Sequence, residues 1–325
     1  MENKLFLCFF ICFLVLTNLF GWELGRQTEF PAHFYDLEVA GDDVWVAGKD
    51  GAFARSLDNG ETFQFVESPA FISETATYLD INAISAINEN NIIAIGQDGL
   101  AMITTDAENW ATIDSLATFY GTGDIEDVIY LDSGKIWVAG KSGKIAYSND
   151  SGKTWAQQVS NTTNTIYAIS MNESGTGYIC GNNGSPDSAW VNKTIDFGET
   201  WSNCGASFAG NPHLNDVYQS DNRVVVCGAG GFLAVSDDNA QSFVQIEVEL
   251  LVNDLKNIVM SGETGYVAGK NGELITTTDN WASAKLVVNN FIPHFDGIGF
   301  NANGELVACG WYGNIIKSSD LGVNW

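Results

Sequence analysis

Residues 138–155 read VAGKSGKIAYSNDSGKTW, and each part has its own structural meaning. On either side of Gly140-Lys141-Ser142-Gly143, β-branched and aromatic residues alternate with small or polar ones. That is the pattern of two strands joined by a tight turn. The glycines read as suppliers of the positive backbone φ that such a turn needs. Ser148-Asn149-Asp150-Ser151-Gly152-Lys153-Thr154-Trp155 follows as a second, Asp-centred turn. Its carboxylate is suited to cap N–H groups of its own turn. Gly152 permits the bend, and Trp155 drops between neighbouring strands.

Outward from this stretch the same unit occurs seven times. The glycine pairs are Gly48/Gly51, Gly96/Gly99, Gly140/Gly143, Gly181/Gly184, Gly228/Gly231, Gly269/Gly272 and Gly310/Gly313. The turn aspartates are Asp58, Asp106, Asp150, Asp196, Asp238, Asp279 and Asp320. The first glycine precedes the aspartate by ten residues in six copies and by fifteen in the fourth, where 185–189 reads as an insert. Residues 194–201 are a second clear Asp turn; 56–63, 236–243 and 318–325 are degraded copies, and 104–110 and 277–281 read as shortened. The aspartates recur every 41 to 48 residues, a period that means a repeat architecture.

Each unit supplies about four strands, which in the third copy are expected at 127–131, 135–139, 144–148 and from 155 to 159. Four-stranded units at this period are propeller blades. The expected fold is therefore all-β, a seven-bladed β-propeller of four-stranded antiparallel blades occupying 22–325. The seventh unit stops at Trp325, where the other blades begin an outer strand. Residues 22–27 precede the first inner strand and are expected to pair there, closing the ring with an N-terminal strand. The aspartates of the Asp turns read as structural.

The blades "VAGKDGAFARSLDNGETF" and "VAGKSGKIAYSNDSGKTW" resemble the Asp-box (bacterial neuraminidase, BNR) repeat. Within that group they are similar to the photosystem II stability/assembly factor-like propellers, over nearly all of 22–325. The resemblance implies a propeller and a role as an assembly chaperone for a membrane complex, played through a basic, arginine-bearing face. This chain departs from that pattern, with only Arg26, Arg55 and Arg223.

Composition narrows the function classes. The 325 residues carry 40 acidic and 14 basic side chains, a formal net charge of −26. Such a surface repels phosphate backbones and anionic membranes; it reads first as a solubility device, with attraction for a cationic partner or divalent ions as the sharper alternative. The N-terminus, MENKLFLCFFICFLVLTNLFGWE, has the basic start and short apolar run of a signal peptide cleaved near Gly21, with a retained anchor as the alternative. The mature chain is then secreted or periplasmic, with no membrane insertion of its own, and is expected to be a monomer.

Among enzymes of this fold, a sialidase needs three arginines converging on a carboxylate, and Arg26, Arg55 and Arg223 are too scattered for that. Glycoside hydrolysis needs two carboxylates about 5–10 Å apart, and nothing singles out such a pair. There is no nucleophile elbow, phosphate loop or paired-cysteine motif. No catalytic residue and no cofactor are therefore expected, and the leading reading is a protein-binding or assembly scaffold. A glycan-directed enzyme or lectin is the alternative. Cys180, Cys227 and Cys309 stand where other repeats carry Ala47, Ala139 and Ala268, so they read as core thiols, and Cys204 is grouped with them.

One face stands out. The residue 15 or 16 positions before each first glycine is His33, Asp80, Asp124, Thr165, His213, Asp254 and His294 in turn. All three histidines and three aspartates occupy this equivalent place, at the expected mouth of the central channel. Approach loops are commonly polar, and each histidine follows a nearby proline. The functional alternative is a ring that binds a partner's loop, a small polar ligand or a cation. Lys49, Lys141, Lys270, Trp311 and Tyr312 belong to the hairpins of the same face, and the exposed aromatics are contact candidates.

Overall fold

The computed structural model describes residues 33–325 apart from 69, 73–76, 183–188, 209, 211, 250–251 and 288–293. The leader 1–21, the closing strand 22–27, Arg26 and most of the fourth-repeat insert lie outside the described residues.

Blade 1 runs Phe34–Ala40, Asp43–Gly48, Phe53–Ser56 and Gln64–Phe65, paired antiparallel in that order. Five more four-stranded blades follow, with inner strands starting at Ile81, Ile125, Ile166, Leu214 and Leu255. In blade 3 the strands are Ile125–Tyr130, Ile136–Gly140, Lys144–Ser148 and Ala156–Val159, within two residues of the expected ones. Blade 7 has three strands among the described residues: Phe295–Phe300, Leu306–Gly310 and Ile315–Ser318.

The second strands are apolar on both faces because each sheet is sandwiched between two others; Asp43–Gly48, Ile92–Gly96, Ile136–Gly140 and Leu306–Gly310 are buried throughout. The core is accordingly divided into seven clusters, one per blade interface. Trp45 and Phe53 of blade 1 meet Ile81 and Ile92 of blade 2, and Trp137 of blade 3 meets Ile169 and Trp190 of blade 4. The last cluster joins Val307, Cys309 and Ile315 of blade 7 to Phe34, Val44 and Val46 of blade 1. Cys180, Cys227 and Cys309 are buried, Cys204 is half-buried, and all four are free thiols.

The glycine pairs have two different jobs. The second glycine of the hairpin takes positive φ, as at Gly143 (67°). The first is extended, with Gly140 at −178°, so the expectation that both supply positive φ is corrected. What the first glycine supplies is the absence of a side chain. A Cβ on Gly48, Gly96 or Gly228 would lie 2.0 Å from the carbonyl oxygen of the residue preceding the inner strand, and one on Gly310 1.8 Å. Through that gap the hairpin N–H reaches the same carbonyl, for example Lys49 N to His33 O at 2.8 Å and Lys141 N to Asp124 O at 3.0 Å.

The Asp turns lie at the opposite end of the blades from these hairpins. In blade 4, Asp196 accepts Thr200 N at 2.9 Å and Thr194 Oγ1 at 2.7 Å. The turn after Thr277 is full length: Ser283 N and Oγ donate to Asp279 at 2.9 and 2.7 Å. Trp281 occupies the glycine position there with φ 66°, which is why the sequence pattern looked shortened. The turn after Thr104 is shortened, since Asn109, only three residues on, closes it onto Asp106. These local hydrogen bonds hold Asp150 and Asp196 below the usual carboxylate range and bring Asp238 and Asp279 to about 2. Among the described residues one α-helix, α1 (Asp114–Tyr120), links blades 2 and 3, its Tyr120 hydroxyl donating to Val138 O and Lys144 O.

Candidate binding face at the channel mouth

The seven approach residues gather at the hairpin end of the blades. The carbonyls of His33, Asp80, Asp124, His213, Asp254 and His294 each accept the first N–H of their own blade's hairpin. Their side chains divide by type.

The three aspartates are staples between blades. Asp80 accepts Asp50 N of the blade 1 hairpin at 2.8 Å, Asp124 accepts Asp98 N of blade 2 at 3.1 Å, and Asp254 accepts Gly230 N of blade 5 at 3.1 Å. The other oxygens are also engaged. Tyr35 Oη donates to Asp80 at 3.3 Å, Lys270 Nζ lies 2.6 Å from Asp254, and Lys141 Nζ pairs with Asp124. These hydrogen bonds pull the Asp254 carboxyl below its usual value.

The histidines stack on aromatic rings. His294 and His33 lie against Trp311 at centroid distances of 4.0 and 5.1 Å, both at 23°. Tyr312 meets His33 edge-on at 5.6 Å and is 63% exposed, its backbone left-handed at φ 62°. His213 stands apart on Tyr167 at 4.5 Å. Two histidines thus come together around one tryptophan where blades 7 and 1 meet, and the third does not join them. Burial lowers His213 and His294, with Lys270 and His33 adding to the effect on His294. Among the described residues no group of three or more His, Cys, Asp or Glu side chains is placed to hold a metal ion.

Below the mouth, the channel wall carries a set of acids that sequence reasoning missed. Asp36, Asp127 and Asp216 occupy the same place on the inner strands of blades 1, 3 and 5, just past an irregularity in strand pairing. Each binds the next N–H of its own strand and one N–H of the following blade: Ile84, Ile169 and Ile258, at 2.9, 2.7 and 2.7 Å. Burial raises Asp36 to about 7, Asp216 to about 6 and the neighbouring Glu38 to about 8, and Asp127 is raised as well. With both oxygens of each aspartate committed to backbone, they are poor catalysts. Their signal in the sequence was available: Asp three residues beyond the approach position in three alternate blades, with Asn257 in a fourth.

Arg55 pairs with Asp43 and lies over Trp45, and Arg223 pairs with Asp237 at 2.6 Å. Both belong to the Asp-turn end. Residues 101–186, which contain the whole of blade 3, match the family model described as Photosynthesis system II assembly factor YCF48. The chain is a seven-bladed β-propeller with Asp turns, similar over residues 101–186 to the YCF48-type assembly factors. No curated protein matches the sequence. Among solved structures, YCF48 bound to D1 peptide aligns with a TM-score of 0.72 at 18% identity, over 90% of this chain and 93% of that one. YCF48 from Cyanidioschyzon merolae aligns with a TM-score of 0.72 at 14% identity, over 89% and 96%. The WD40 β-propeller domain of Doa1 aligns at 0.70 and 12%, over 93% and 98%. At these identities the likeness is one of fold. The two described arginines of this YCF48-like chain are spent in structural pairs, so a basic binding face is not built from them.

Proposed function

We propose that this YCF48-like propeller is an exported, non-catalytic scaffold that binds an extended, cationic segment of a protein partner across its channel mouth. The observation that carries the reading is the aromatic cluster of Trp311, Tyr312, His33 and His294 at the junction of blades 7 and 1. Exposed aromatic side chains anchored by stacking are typical contact residues. The peptide bound to a YCF48 propeller of the same fold supports the choice of a protein partner. The net charge of −26 supports a cationic one. Export rests on the leader at 1–21, and release of the chain near Gly21 gives a mature N-terminus that protein sequencing reads directly.

The test is fluorescence anisotropy of lysine- and arginine-bearing peptides of about 15 residues against the mature chain, at about 0.15 M salt. Binding should weaken with salt and fall about tenfold in Trp311→Ala and Tyr312→Asn; asparagine tolerates the left-handed backbone at 312. Equal binding of uncharged peptides, or no effect of either substitution, would refute the reading.

A further inference from the structure

A cleft of about 740 Å3 opens on the outer shoulder between blades 3 and 4, away from the aromatic cluster at the channel mouth. That volume suits a ligand of several rings. Its walls come from the outer strand of blade 3, the link 160–164, the third and outer strands of blade 4, and the end of α1.

The lining chemistry is unlike the rest of the molecule. Six of the lining residues carry side-chain amides: Gln157, Gln158, Asn161, Asn164, Asn192 and Asn203. Ser160, Thr162 and Thr163 add hydroxyls. In a chain with 40 carboxylates, none belongs to the described lining. The one cation there, Lys144, donates to the carbonyls of Phe119 and Tyr120, at 2.7 and 3.1 Å.

Part of this lining is held in place from behind. Asn192 Nδ2 donates to Ser160 O at 3.0 Å, and Asn203 Nδ2 donates to Asn192 Oδ1 at 3.1 Å. Two buried polar atoms of lining residues have no protein partner: Nε1 of Trp190, whose residue is only 6% exposed, and Oε1 of Gln158, which packs against Gly198 of the blade 4 Asp turn. A buried donor or acceptor without a partner costs free energy that a ligand recovers on binding.

Side-chain amides offer a donor and an acceptor in one plane, which matches vicinal hydroxyls that both donate and accept. An anionic ligand would lack a free cation, and a cationic one would lack a carboxylate. We infer that the cleft between blades 3 and 4 is a binding site for an uncharged oligosaccharide. The saccharide is held through its hydroxyls by Gln157, Thr163 and Asn161 Oδ1, with the Trp190 indole N–H as the buried donor. The site is separate from the protein-binding face and does not depend on it.

Calorimetric titration of the full mature chain with maltohexaose, cellohexaose and chitohexaose, each up to about 10 mM, tests this. At least one should bind with a Kd at or below about 1 mM. The exposed pair Gln157→Ala with Thr163→Ala should weaken that binding about tenfold without moving Tm. Trp190→Phe, which keeps a packed ring and removes the N–H, should weaken it further. Should that variant fail to fold, the exposed pair decides alone. Failure of all three sugars to bind, binding unchanged in the exposed pair, or equal binding of a sulfated hexasaccharide would overturn the proposal.

Discussion

The carboxylate of Asp127 accepts the backbone N–H of Ile169 on the inner strand of the next blade, at 2.7 Å. Asp36 and Asp216 make the same bond to Ile84 and Ile258, and Asn257 makes it to Ile298 with a neutral amide oxygen at 3.2 Å. The acceptor matters here more than the charge. Asp127→Ala should therefore cost about 1–3 kcal/mol by urea denaturation, the penalty for orphaning the Ile169 N–H. Asp127→Asn, which copies the blade 6 arrangement, should cost less. Equal losses would mean that charge, not the hydrogen bond, holds the blades together here.

Burial raises Asp36, Glu38 and Asp216 to about 7, 8 and 6 in the folded chain. Their stabilising contribution is full below the unfolded carboxylate value, about 4, and is lost as pH rises through the folded values. The Asp turns act in the opposite sense. Asp238 and Asp279, lowered to about 2, contribute above that unfolded value and lose their contribution as pH falls. Tm should peak near pH 4–5, about midway, and decline toward pH 8. Asp36→Asn combined with Glu38→Gln should flatten the alkaline limb. A Tm that rises between about pH 5 and 8 would contradict this wiring.

Among the described hairpins the first glycine is extended and defined by contact, while the second takes a positive φ and at Gly51, Gly99 and Gly143 is closely packed as well. Gly310→Ala puts a Cβ 1.8 Å from His294 O, so the hairpin and inner strand of blade 7 must separate. The expected cost is about 3 kcal/mol or more, the upper range for overpacking. Gly230→Ala meets nothing within 4 Å but sits in the left-handed region at φ 66°, ψ 27°, so it should cost only about 1 kcal/mol. Thermal or urea unfolding of the two variants distinguishes them, and equal losses would remove the contact explanation.

Strand Ile315–Ser318 pairs only with Leu306–Gly310 among the described residues. We propose that residues 22–27 take its other edge. Amide exchange on 315–318 should then be slow in the mature chain and fast after deletion of 22–30, with a sharp drop in Tm. Unchanged protection after the deletion would place the closing contact elsewhere.

The blade count, strand order and Asp turns were legible because each is written locally and repeated, so errors in one copy are corrected by the others. What escaped the sequence was contact between units. Gly140 and Gly143 look alike in a string, yet Gly140 is extended and fixed by Asp124 O, whereas Gly143 combines a positive φ with close contact to Thr162 O. Trp281 hid a full turn by standing in a left-handed position that glycine usually fills. At the mouth, the equivalence of His33, Asp80, Asp124, His213, Asp254 and His294 was visible. That the aspartates staple neighbouring hairpins while two histidines flank Trp311 was not, because it depends on distances across blades. The amide cleft joins 157–164 to Trp190, Asn192 and Asn203 by the same kind of contact.

Blade 7 meets blade 1 through Asn301 Nδ2 and the carbonyl of Asn59, 242 positions apart in the chain, and through Lys317 and Glu61. Val44 and Val46 therefore share one core cluster with Val307, Cys309 and Ile315, some 260 positions later in the sequence. A chain emerging from a ribosome or a translocation pore has to wait for Val307 before its first blade is covered on both sides. Until then the early blades remain an open arc with an apolar flank, easy to thread and prone to self-association. The ring's final contact thus works as a clock: folding completes only after blade 7, residues 295–318, has been delivered.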